Sequence, residues 1–91
     1  MASVRELKKD INFLTSELVA HAYLNQLIFK KISDDEMLTH ITKAVDFRNN
    51  LVDRANHPDG KDNPKMVRSY YKKLRKDMVE QFESLYGALA V

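Results

Sequence analysis

The twelve residues from Leu18 to Phe29 (LVAHAYLNQLIF) carry no charge and are apolar nearly all the way round a helix. At about 100° per residue, Leu18, Ala22, Asn25 and Phe29 share one face, while Ala20, Leu24 and Leu27 share the opposite one. A helix that is hydrophobic on every side must be covered on every side. Two sibling helices from a chain of 91 residues can hide only one of these faces. The second face therefore calls for another copy of the same chain. The other available cover is the apolar tail from Ala88 to Val91, folded back on its own subunit.

A hydrophobic content of 44% with 31% charged residues suits one folded domain over 1–91 rather than a disordered chain. There is no cysteine, which excludes disulfides and thiolate metal sites and agrees with a cytoplasmic protein. Mixed charges appear too early in MASVRELKK for a secretory signal. The uncharged run is also well short of the ~20 residues that span a bilayer, so no membrane partner is expected. A net charge of +2 gives no global argument for a polyanionic partner.

Periodicity and capping signals predict three helices over roughly 4–31, 34–55 and 64–86, forming an all-α antiparallel bundle. Ser3 with Glu6, and Ser33 with Glu36, read as capping boxes. The first helix carries the stripe Val4, Leu7, Ile11, Leu14, Leu18, Ala22, Phe29 and Ile32. A link of a residue or two then makes an antiparallel hairpin with the second helix. That helix presents Met37, Leu38, Ile41, Ala44, Val45, Leu51, Val52 and Ala55. Asn56 to Asn63 is a loop punctuated by Pro58 and Gly60. Asn63 caps the third helix, Pro64 occupies its first turn and Gly87 reads as its C-cap. Val67, Tyr70, Tyr71, Leu74, Met78, Phe82 and Leu85 form its apolar face.

Arg48 lies inside the second stripe, where a guanidinium must be paired or reach water along its stem. Folding the hairpin at Ile32–Ser33 brings it level with Glu17. The reading is a buried Arg48–Glu17 ion pair, joined by a hydroxyl of Tyr70 or Tyr71. Lys65, Arg68, Lys72, Arg75 and Lys76 lie opposite Val67, Leu74 and Met78 as a basic face, a candidate contact for an anion or nucleic acid. With alternating helices, Arg5, Lys8, Lys9, Arg54 and Lys61 gather at the same end. Acids such as Asp10, Asp53, Asp59 and Asp62 are scattered among these bases, and no base-stacking aromatics accompany them.

No catalytic, cofactor or metal site is expected. The serines read as caps or surface residues, and there is no glycine-rich phosphate loop. Asp34, Asp35 and Glu36 suit a helix start. His21, His40 and His57 lack the one-turn spacing of a helical metal site. Asp59, Asp62 and Asn63 lack the alternation and distal glutamate of a calcium loop.

The segment Arg48-Asn49-Asn50 through His57 resembles the arginine–asparagine…histidine signature of HEPN-type ribonucleases, which are helical bundles. There the histidine follows the arginine within a turn or two on the same helix. Here eight residues intervene from Arg48 and two from Arg54, and His57 falls beyond the helix. The spacing that would bring both side chains to one phosphate is missing, so ribonuclease activity is not expected. The helix Asp46 to Arg54 and the turn NHPDGKDNP (Asn56 to Pro64) are similar to small all-helical bacterial proteins of uncharacterised function. That resemblance implies no activity, cofactor or site.

The functional expectation is a non-enzymatic helical protein–protein interaction module. It self-associates, most simply as a two-fold homodimer, through Phe13, Ala20, Tyr23, Leu24 and Leu27. The alternative is a nucleic-acid-binding accessory protein using the basic face of the third helix. An apolar ligand within the bundle is a third reading.

Overall fold

The computed structural model describes residues 4–60 and 62–89. Within them the chain forms three helices and no strand: α1 Val4–Leu27, α2 Asp34–Asn56 and α3 Pro64–Leu89. The proposed Ser3 cap and Lys61 lie outside the described residues. α1 and α2 are antiparallel, with Asn12 bonded to Arg48 and Gln26 to Asp34. α3 returns alongside α1. The Tyr86 ring meets His21 edge-on at 4.8 Å, and Asn25 Nδ2 donates to the Leu89 carbonyl at 2.5 Å.

The capping signals act as local chemistry requires. The Glu36 N–H donates to Ser33 Oγ at 3.1 Å, and the Ser33 N–H donates back to Glu36 Oε1. Asn63 Oδ1 accepts from the N–H groups of Lys65 and Met66. Gly87, read as a C-cap, instead lies inside α3, which continues to a buried Leu89.

α1 stops at Leu27 instead of Lys31. Beyond it the Phe29 N–H reaches back to the Leu24 carbonyl and the Lys31 N–H to that of Asn25. Lys30 is left-handed at φ 53°. These backbone bonds and the left-handed Lys30 close the end of α1. The hairpin link is consequently residues 28–33 rather than one or two, and Phe29 is exposed.

The core runs through Leu7, Ile11, Leu18 and Ala22 of α1, Ala44, Phe47, Leu51 and Ala55 of α2, and Leu74, Met78 and Leu89 of α3. Thr15 is buried among them and donates its hydroxyl to the Ile11 carbonyl at 2.8 Å. α2 keeps most of the expected stripe, with Ala44, Leu51 and Ala55 in the core and Met37, Ile41 and Val52 packed against it. It buries Phe47, while Leu38 and Val45 face solvent. Turning the phenyl ring inward hides more apolar area and moves Arg48 to the flank.

Polar staples join α2 to α3. The hydroxyls of Tyr70 and Tyr71 donate at 2.8 Å to the carbonyls of Arg54 and Ala55, at the end of α2. Neither reaches Arg48. Asp77 accepts from both Lys73 and Arg54 at 2.9 Å. These bonds, that of Lys73 foremost and then that of Arg54, hold the Asp77 carboxyl below its ordinary value.

The helices are staggered. The hairpin tip extends past Leu89, and the first turn of α3 stands beyond the end of α2. The molecule is therefore a rod of 50 × 17 × 16 Å with a radius of gyration of 15.1 Å, against about 12 Å for a compact chain of this length. Its accessible surface of 6275 Å² exceeds the roughly 5,500 Å² usual for a monomer of 10.6 kDa.

Two backbone positions carry the less suitable residue type. Lysine is strained in a left-handed conformation, and glycine weakens a helix, with nothing within 4 Å of the place a Gly87 Cβ would occupy. Lys30→Gly and Gly87→Ala should each raise stability by about 0.5–1 kcal/mol in chemical denaturation. For Asp77, a folded-state value below the unfolded one gives stability that is complete above the ordinary carboxylate range. It fades as pH falls through that range. Asp77→Asn should thus lower Tm at neutral pH, and the gap from the parent chain should close in acid.

Candidate interaction surfaces

α1 buries the face Leu7–Ile11–Leu18–Ala22, so its opposite face looks outward. Along it Phe13 is 62% exposed, Leu27 63%, Tyr23 45% and Leu24 37%, and Ala20 is also exposed. Leu89 reaches Asn25 but leaves Leu24 and Leu27 open, so the described part of the tail does not cover this face. The face continues into the hairpin tip, where Ile28, Phe29 and Leu38 are exposed. The tip was not legible from periodicity, because it arises from α1 ending at Leu27. From Phe13 to Leu27 the outward positions, Phe13, Ser16, Ala20, Tyr23, Leu24 and Leu27, carry no charge; Glu17 is on the flank, half-buried.

Arg48 is half-buried on the flank of α2 and does not meet Glu17. Its Nε donates to Asn12 Oδ1 at 2.7 Å and its terminal nitrogen to Asn49 Oδ1 at 3.1 Å. The expected ion pair fails because the longer link shifts the α1–α2 pairing by five residues, from Glu17 to Asn12. Glu17 instead lies 3.8 Å from His21 on its own helix. The guanidinium thus keeps a neutral amide partner. Asn12 gave no signal in the sequence, since it belongs to no motif.

Four of the five bases singled out on α3 form an exposed row. Lys65, Arg68, Lys72 and Lys76 recur at helical spacing, opposite buried Leu74 and Met78. Arg75 lies aside, half-buried and engaged in an interaction of its own. Arg54 is bound to Asp77. α1 runs parallel to α3, and the His21–Tyr86 contact puts Arg5, Lys8 and Lys9 level with residues 70–74 along the rod.

His21 is held between Glu17 and the Tyr86 ring, which stacks in turn on Phe82. His57 lies 3.3 Å from Asp53, one turn away on the exposed end of α2. Among the described residues no group of three or more His, Asp or Glu side chains is placed to hold a metal ion. Among them, too, no helix is long and apolar enough to cross a membrane. An open groove of about 480 Å³ runs between α2 and α3, with Phe47 and Leu85 at its base and Lys43, Asp46 and Gln81 at its edges. Asn50 and Ser84 also line it, and no hydrogen bond joins Ser84 to Lys43 or Asp46 among those the structure shows. No protein-family model, no curated protein and no solved structure matches the chain.

Proposed function

We propose that this chain is a non-enzymatic helical interaction module, acting in a reducing compartment, whose first partner is a second copy of itself. The observation that carries the reading is the uncharged outer face of α1, exposed at Phe13, Leu24 and Leu27. Its side chains are arranged symmetrically about Ala20. Phe13 and Leu27 lie seven residues to either side, and Ser16 and Leu24 four. Two such helices crossing antiparallel at Ala20 place each Phe13 beside Leu27 of the second copy, over a contact ~21 Å long. The small Ala20 lets the backbones approach, and each Tyr23 hydroxyl comes level with the other copy's Glu17.

The clustering of Phe13, Tyr23, Leu24 and Leu27 on this face supports the same occupant, since contiguous exposed apolar side chains mark association surfaces. Ile28 and Phe29 would extend the contact at its ends.

Light scattering on the full chain should give a dimer mass. Leu27→Glu, at an exposed position that the monomer's core does not use, should give a monomer with unchanged helix content. Ala20→Cys introduces the only thiol and should cross-link two copies under mild oxidation, whereas Lys76→Cys should not. A parent chain that stays monomeric at high concentration would overturn the proposal. A dimer that Ala20→Cys fails to cross-link would reject the symmetric crossing.

A further inference from the structure

We infer that the row Lys65, Arg68, Lys72 and Lys76 on α3 is a binding site for the phosphate backbone of duplex nucleic acid. The first argument is electrostatic cost. A helix N-terminus is its positive pole and favours acids. α2 obeys this with Asp34, Asp35 and Glu36 in its first turn, but α3 has no acid there and begins with Lys65. Arg68–Lys72 and Lys72–Lys76 are like-charge pairs one turn apart, an arrangement that weakens a helix. All four side chains are exposed and turned from the core. Asp59 lines the same hollow as Lys65 and Glu80 lies one turn after Lys76, but the repulsion along Arg68, Lys72 and Lys76 remains a cost that a partner bearing negative charge would offset.

The second argument is shape. The row presents about one charge per turn over ~16 Å of straight helix, each on a long flexible stem. That is a ladder of point charges suited to successive backbone phosphates. A membrane surface would require α3 to present a continuous apolar face beside the charges; Leu74, Met78 and Leu89 are in the core, and the exposed Met66 and Val79 stand 13 residues apart. Arg5, Lys8 and Lys9 of α1 lie level with the middle of the row along the rod and add to the positive field of that half of the molecule. Glu80 and Glu83 follow Lys76 and end it. With no aromatic among the four, contact is with the backbone and independent of base sequence.

Fluorescence anisotropy with a labelled random-sequence DNA duplex, titrated with salt, tests the site. Four phosphate contacts predict that log K falls with log salt at a slope near −3.6. In the double variant Lys65→Glu/Arg68→Glu the slope should roughly halve and low-salt affinity should fall at least tenfold. The same variant places acids at the positive pole of α3, so its Tm should rise. Loss of binding with a gain in stability separates a binding role from a structural one, and Lys72→Gln should act in the same direction with a smaller loss. Absence of salt-dependent duplex binding would overturn the inference. So would unchanged affinity in the double variant, or equal binding to polyglutamate or anionic phosphatidylserine vesicles.

Discussion

The turn between α1 and α2 sets which residues of the two helices lie side by side, and the rest of the molecule follows from that register. With residues 28–33 in the link, Asn12 meets Arg48 and Gln26 meets Asp34. The buried stripe of α1 then faces Phe47 and Leu51. A pairing five residues further along would have given Arg48 the carboxylate of Glu17. In the observed register that carboxylate is left to His21, and Arg48 reaches only amide oxygens. Hydrogen bonds from a charged donor to a neutral acceptor keep the guanidinium satisfied without cancelling its charge.

α3 completes the core without matching the hairpin end to end. Tyr70, Tyr71 and Asp77 tie it to the last turn of α2, and Asn25 meets Leu89 at the opposite limit. Between those points three helices share a core. The apolar surface left open lies on the outer face of α1 and at the tip, and its cost is hydration of Phe13, Leu27, Ile28 and Phe29. The basic row on α3 carries a different cost, repulsion among like charges at the wrong helix pole. One cost is relieved by removing water, the other by counter-charge.

Much of this was legible beforehand, and the misses share one cause. Ser33–Glu36 and Asn63–Pro64 marked helix starts correctly because a cap is satisfied within four residues. The outward position of Leu24 and Leu27 followed from counting faces on α1. The α2 stripe holds except at Leu38 and Val45, which are exposed, and it lacks Phe47, since periodicity alone does not weigh ring area against a branched side chain. Gly87 resembled a cap, yet the burial of Leu89 beyond it carries the helix onward. The Asp77 clamp left a trace in its one-turn spacing from Lys73, while its second partner, Arg54, came from another helix.

The sequence by itself determined that the chain is three helices, where α2 and α3 begin, and that α1 is too apolar for one side of a bundle. Each of these depends on residues within a turn or two of one another. Only the tertiary structure decided where α1 ends, which partner Arg48 takes and which apolar side chains remain uncovered. Those outcomes depend on the length of the turn and on where the neighbouring helix stops, and packing energy summed over the whole core sets both.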